Sequence, residues 1–521
     1  MEVLNTVRQN YYQDSVKLMQ ISKELSSLSG IKNASAIMAT EANLIMLREA
    51  GLISKFPDSI SANDLIIAVE AVSKKTAQDA INSLDTFLLS LHTTTEEKIE
   101  YKSFDSAYNA LNQANMAIIS VPGEFAKLEV ARAINHNIHT FLFSDNLSVE
   151  EEVELKERAI EKGLLMMGPG CGTAIINGTC LGFANIVRRG QIGVVAAAGT
   201  GLQEVVSLID NWGLGISHGI GVGGRDLSEK VGGLMTIEAI KHLQRDKNTK
   251  FILLVSKPAS SSVVKKIVEA AGKSKKPFAM CLLGDNLKKI AERNIHYTET
   301  LEELSLLAVN LADKKKGKLV DISDDGWKIF GKKYLKNVHT SQKYIRGLFS
   351  GGTLCYEVQQ ILNKTLGDIF SNAPLSGEFK LKNSNKSYKN SCIDLGEEEF
   401  TVGRPHPMID ASIRSERIIQ EAKDPATAII LFDIVLGYGS SPDPAGDLLS
   451  AIEKAQEIAA QKKRSLAFIT HVCGTEDDIQ NRESQEQKLR DAGVLVLSTN
   501  AQTARAAGWI ASRLSNGVQV K

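Results

Sequence analysis

Cysteine is sparse: six in 521 residues (Cys171, Cys180, Cys281, Cys355, Cys392 and Cys473), with no CxxC pair and no metal-ligand spacing. That excludes a disulfide framework and a thiolate metal cluster, and reads as reduced thiols in a cytoplasmic protein. Net charge is also lacking, since Lys plus Arg and Asp plus Glu are both 61. Nothing in the balance therefore points to nucleic acid or to an acidic membrane surface. No stretch approaches the ~20 apolar residues that span a bilayer. The N-terminus lacks a basic region followed by an apolar run, so no secretory signal is expected.

What the chain does have is one loop twice. Gly199-Thr200-Gly201-Leu202-Gln203-Glu204-Val205 follows the apolar run Ile192 to Ala198. Gly352-Thr353-Leu354-Cys355-Tyr356-Glu357-Val358 follows Tyr344 to Phe349, with Ser350 and Gly351 between. Both read as strand, small residues, then Gly-Thr opening a helix, in the shared spacing GTxxxEV. Such a turn leaves backbone N–H groups at the positive end of the helix dipole, where an anion is favoured. Two copies predict a duplicated α/β unit.

Length sets a prior of about three to four domains. Residues 1–100 alternate strand and helix patterns and predict a ferredoxin-like α/β domain. Residues 101–189 predict a Rossmann-like domain: the strand Met116 to Val121 ends at Pro122-Gly123, and a later strand ends at Gly168-Pro169-Gly170-Cys171-Gly172. Ligands in such sheets sit at the carboxyl ends of strands, which puts Pro122, Gly123, Gly168 and Pro169 on a nucleotide- or CoA-type edge. Residues 190–315 and 344–521 predict two flavodoxin-type repeats, and the polar, lysine-rich residues 316–343 predict a solvated linker. In the first repeat Gly221-Val222-Gly223-Gly224-Arg225-Asp226 follows a strand, and Val402-Gly403-Arg404-Pro405-His406-Pro407-Met408 is its expected counterpart in the second.

Gly168-Pro169-Gly170-Cys171, Gly190 to Val195, Gly199-Thr200 to Glu204 and Gly221 to Gly224 resemble the succinyl-CoA synthetase α subunit in order and spacing. Within that superfamily Phe349 to Cys355, Val402 to Asp410 and Leu436-Gly437-Tyr438-Gly439 are similar to the FdrA family. The resemblance implies an acyl-CoA-synthetase-like fold and a subunit of oxamate carbamoyltransferase in anaerobic allantoin breakdown. That reaction converts oxalurate and phosphate to oxamate and carbamoyl phosphate. Three departures set the chain apart from the synthetases. It has no Gly-x-Thr-Gly-x-x-Gly loop for coenzyme A and no Gly-His-x-Gly segment for a phosphohistidine. Lys257 stands where the carboxylate that steers that histidine belongs.

Phosphorolysis needs a held phosphate, a clamp for the substrate carboxylate and an acid for the departing nitrogen. The expected phosphate and substrate contacts are Gly199, Thr200, Gly201, Gly223, Gly224, Arg225, Gly351, Gly352 and Thr353. The expected catalytic residues are Arg404 as clamp, His406 as acid, and His471 at the end of a buried strand. No metal is expected, and phosphate enters as a substrate rather than a cofactor. A small ureido acid, and either further subunits or a second copy, are the expected partners. Two other readings stay open: an NDP-forming acyl-CoA synthetase-like enzyme, and a non-catalytic scaffold or metabolite-sensing subunit.

Overall fold

The computed structural model describes all residues except 1, 12, 14, 41–42, 45–46, 49, 54–59, 91–100, 112, 285–294, 313–324, 336–337, 402–403 and 516–521. His296 is described, whereas most of the segment before it, Asp285 to Asn294, lies outside the described residues, as do Val402 and Gly403. Two compact units result: residues 1–102 with 401–405, and residues 103–400 with 406–521.

In the first unit an antiparallel sheet runs in the order Glu2–Arg8, Leu65–Ala71, Ile31–Met38. The central strand is apolar on both faces because each face is covered. One face packs on Leu18, Ile21 and Leu25 of the helix Ser15–Ser27, the other on Leu47, Leu52 and Ile53. This is the ferredoxin-like pattern with three described strands.

Among the described residues the second unit holds three sheets. Met116–Ile119, His139–Leu142 and Met166–Met167 form a parallel three-stranded sheet. The next sheet runs Ile295–Tyr297, Phe278–Leu282, Phe251–Ser256, Arg189–Ala196, Ile216–Gly221, and is extended by the hairpin Thr173–Ile176 and Thr179–Gly182. The last runs Ser391–Asp394, Tyr344–Phe349, Thr427–Val435, Ala467–Cys473, Leu495–Leu497. Hairpin aside, both larger sheets are parallel and place their strands in the order 2-1-3-4-5. The duplication read from the loops is thus a duplication of topology. In each repeat the first strand feeds its Gly-Thr loop at the point where strand order reverses, the usual ligand edge of a flavodoxin-type sheet.

One hydrophobic core runs through both repeats, joining Leu202, Val205 and Val206 to Leu354, Val358, Ala504 and Ile510. The residues read as a solvated linker contain the helix Asp325–Leu335. Its Tyr334 is buried and donates to the carbonyls of Ala428 and Ser465, and its Trp327 meets Trp509 edge to face. Lysine-rich composition hid an aromatic face that packs on the second repeat.

Candidate functional site

The two Gly-Thr loops meet. Each opens a helix, Gly199–Asn211 and Gly352–Leu366, from an extended N-cap (Ala198, Gly351) with no side-chain cap. A Cβ on Gly201 would stand 2.8 Å from Thr353 Cγ2, and one on Gly351 would stand 2.9 Å from Thr200 Cγ2. The Thr353 N–H points to Thr200 Oγ1 at 3.4 Å. Glycine at these positions is what lets the two positive helix ends approach. The N–H groups of Gly199, Thr200 and Gly201 donate to no acceptor among the described residues.

The two residues before the second helix are held from within. Asp433 accepts from the N–H groups of Ser350 (2.8 Å) and Gly351 (2.7 Å) and from Ser350 Oγ (3.0 Å). Arg414, itself buried, contacts the same carboxylate at 3.0 Å. Around this loop stand Asp394, at the end of its strand, and Lys257, which leaves the first repeat. Lys257 Nζ lies 3.9 Å from Asp394 Oδ2 and 3.6 Å from Glu397. Burial and the neighbouring Glu397 and Asp433 raise the Asp394 carboxyl to about 7, against the opposing charge of Lys257.

His406 borders the same place. A Cβ on Gly396 would stand 2.7 Å from His406 Nε2 and 3.2 Å from Asp394 Oδ1. The His406 Nδ1 accepts from the Met408 N–H at 3.3 Å. Burial lowers its pKa to about 4, so the ring is neutral near pH 7 and acts there as a hydrogen-bonding group rather than a cation. Phe183 links His406 to Phe143, with centroids 5.7 and 5.9 Å apart.

His471 sits elsewhere. It is two residues inside its strand, fully buried, and its Nε2 meets Glu204 Oε2 at 2.7 Å. Burial pulls its pKa down, but the Glu204 charge and hydrogen bond outweigh it and hold the imidazole above its ordinary value. Cys473 is near enough that the three could share an ion, with ligand atoms within 4.8 Å of one another. The Glu204–His471 contact accounts for two of them as a pair that ties the repeats together.

Arg225 is committed to the Leu147 carbonyl at 2.9 Å and to Glu152 at 3.0 Å, and Asp226 to the buried Lys156 at 2.7 Å. Arg225 and Arg404 are not structural counterparts. The strand matching Ile216–Gly221 is Ser391–Asp394, so the segment after it begins at Leu395, and the helix Glu398–Thr401 intervenes before Arg404. That strand is short and follows a polar insertion, which masks it in sequence. Arg404 is exposed, its N–H donates to Thr401 O, and it groups with the N-terminal compact unit. Gly223 has φ +90, and a Cβ there would meet Pro169 O at 2.5 Å; Gly168-Pro169 is a cis peptide. These glycines allow chain-to-chain contact between sheets, while Gly224 faces open space. Gly123 opens the helix Gly123–Asn135 behind Pro122, and a Cβ on it would collide with the Asp145 carbonyl. The Cys355 thiol is buried, and burial pushes it well above its ordinary value.

Comparison with known proteins adds the following. A family described as CoA-ligase matches residues 348–510, and one described as AllF, heavy metal-associated domain, matches residues 1–103. YahF of Escherichia coli (strain K12) is 41% identical over 503 residues, 96% of this chain and 97% of YahF. The chain belongs to the family of YahF. This family is succinyl-CoA-synthetase α-like and FdrA/AllF-like, with a CoA-ligase domain. The succinate–CoA ligase α subunit 2 of Archaeoglobus fulgidus is 30% identical over 158 residues, 29% of this chain and 54% of that one. The chain therefore spans about half of that relative. A solved dinucleotide-forming acetyl-coenzyme A synthetase 1 of Ca. Korarchaeum cryptofilum, with phosphate and ADP, aligns over 86% of this chain and 96% of its own at 14% identity and TM-score 0.31.

Neither group that these descriptions bring to mind fits the residues here. Residues 1–103 contain no cysteine and one histidine, His92, so they offer no soft ligand set for a heavy metal. For coenzyme A, the turn Ser120 to Gly123 lacks the glycine-rich sequence, Glu124 adds an acid to the first helical turn, and the Asp145 chain closes over Gly123. The residues that sequence reasoning missed are Asp394, Asp433 and Arg414. The sole available signal was Asp433 as an acid within the otherwise apolar Ala428 to Leu436.

Proposed function

We propose that the chain is a subunit of an oxamate carbamoyltransferase that cleaves oxalurate with phosphate at the junction of the two Gly-Thr loops. The observation that carries the reading is the facing pair of helix starts. One has open N–H groups at Gly199, Thr200 and Gly201, and Lys257 stands beside the other. Phosphate is an oxyanion that such a helix start holds without a protein nucleophile. Kinship with an AllF-named domain and a CoA-ligase domain agrees with acyl-type transfer on this fold. Neutral His406, with Asp394 and Lys257, supplies polar groups around the reacting carbonyl.

The test is carbamoyl phosphate formation from oxalurate and inorganic phosphate, by the purified chain alone and with the products of its neighbouring genes. Product from the assembled mixture supports the reading. Its absence, or phosphate release that depends on coenzyme A and a nucleoside diphosphate, overturns it.

A further inference from the structure

We propose that Asp394 is the proton-relay carboxyl of this site, sharing its proton with the bound oxyanion and delivering it to the departing nitrogen. This rests on the carbamoyl-transfer reading and assigns the acid role to a carboxyl. Asp394 is 3% exposed, yet its Oδ2 accepts no hydrogen bond among the described residues. Its Oδ1 accepts from the Gly396 N–H at 3.0 Å, while Oδ2 faces Lys257 Nζ at 3.9 Å, beyond hydrogen-bond reach. That Oδ2 lies against the first residue of the helix Gly352–Leu366, where a Cβ on Gly352 would collide with it. That same Cβ position is 2.9 Å from Lys257 Nζ. A second glycine, Gly396, lets Asp394, His406 and the Ser350 carbonyl approach closely. Two glycines thus permit the close convergence of a carboxyl, an ammonium, an imidazole and a helix N-terminus.

The groups facing Asp394 decide its charge. Lys257 of the first repeat favours the carboxylate. Glu397 beyond it and Asp433 on the neighbouring strand favour the acid, and Arg414 already neutralises part of Asp433. Cys355 on the adjoining helix is a neutral thiol, and His406 is held neutral. Lys257 is shared between Asp394 and Glu397, so burial prevails and the carboxyl keeps its proton to about 7.

The step balances without any further reactant. An oxygen of hydrogen phosphate attacks the ureido carbonyl carbon of oxalurate, forming C–O. The C–N bond to the oxamate nitrogen breaks, its electron pair goes to nitrogen, and the Asp394 proton joins it. The proton left on phosphate passes to the Asp394 carboxylate, which restores the acid. The products are oxamate and carbamoyl phosphate.

The experiment uses the assembled complex and follows carbamoyl phosphate against pH. With wild type, kcat is expected to fall about tenfold per unit above pH ~7 as the acid is lost. Asp394→Asn is expected to lower kcat by roughly 10²- to 10⁴-fold, to leave KM for phosphate within about threefold, and to abolish that alkaline limb. Asp394→Glu should restore part of the rate together with the limb. An Asn variant within about threefold of wild type, or one that is slow but keeps the limb, would overturn the proposal, since a surviving limb belongs to phosphate itself. If wild type makes no carbamoyl phosphate, the transfer reading fails on its own account. Asp394 is then tested by ¹³C NMR titration of the wild-type carboxyl with and without inorganic phosphate. A midpoint near 7 that moves when phosphate is added supports a shared proton. A midpoint below about 5, or no response to phosphate, removes it.

Discussion

The two repeats share a topology and a loop, and differ in charge at one position of the strand beside the loop. Val195 pairs with Leu254 in the first repeat, and the matching Leu348 pairs with Phe432 in the second. One residue on, Val255 therefore corresponds to Asp433. Both strands are buried, so the substitution exchanges an apolar wall for an internal anion. In the second repeat that anion takes the N–H groups of Ser350 and Gly351, the two residues before the helix. In the first, the backbone carbonyl of Val255 takes the N–H of Ala197, the counterpart of Ser350. Duplication of the loop does not duplicate what holds it. A carboxylate fixes the residues before the helix in one copy, and a backbone carbonyl does so in the other.

The largest expected effect removes that carboxylate. Asp433→Val makes the second repeat resemble the first, but leaves Arg414 buried without its partner and two N–H groups unsatisfied. A loss of about 3–5 kcal/mol is expected in denaturant unfolding. Next comes the contrast between the glutamates of the two GTxxxEV copies. Glu204 meets His471, whereas Glu357 is bonded by the Leu301 N–H at 2.7 Å and Asn500 Nδ2 at 2.7 Å. Burial, with the charges of Glu204 and Glu302, raises Glu357 to about 7 against those two hydrogen bonds. A carboxyl raised this way binds its proton more tightly when folded. Its contribution is therefore greatest below the ordinary carboxylate range and is lost as pH rises to about 7. Glu357→Gln should remove on the order of 3 kcal/mol of pH dependence between about pH 4.5 and 7, read as a flatter melting profile. His406, held low, acts in the opposite direction and is unchanged in that variant.

A smaller effect tests the contact itself. Gly201→Ala and Gly351→Ala each push a methyl against a threonine of the other loop and should cost about 1–3 kcal/mol, with a matching fall in thermal midpoint. Similar costs are expected for the two, because the approach is mutual; a cost at only one would show that the loops do not face each other in solution. The smallest effect sharpens the opening contrast. Val255→Asp copies the internal anion into the first repeat and should weaken phosphate binding about tenfold in calorimetry, equivalent to ~1.4 kcal/mol.

Much of the fold was legible because it rests on local pattern. Apolar runs marked the inner strands, and the repeated Gly-Thr marked both strand-to-helix turns. The hairpin Thr173–Gly182 went unread although Asn177-Gly178, both at positive φ, is the turn that signals it. Ser391–Asp394 went unread because four residues at a sheet edge carry too little periodicity. The candidate site was legible only in its backbone. Gly199, Thr200, Gly351 and Gly352 advertise themselves by local chemistry, whereas Asp394, Asp433 and Lys257 gain meaning from partners far along the chain. His471 shows the converse: a polar residue near a strand end reads as facing a ligand edge, whereas the structure pairs it with the buried Glu204.

The reciprocal reach of those glutamates has a consequence for how the chain could be divided. Glu204 receives the Asn500 N–H at the start of the last helix of the second repeat, and Glu357 receives the Leu301 N–H at the start of the last helix of the first. Each half finishes the other's terminal helix, across a core that neither half encloses alone. The covalent connection between them is then dispensable in principle. A gene cut in the segment 313–324 should give two polypeptides, each a poor folder by itself, that co-purify when made together and melt in one transition.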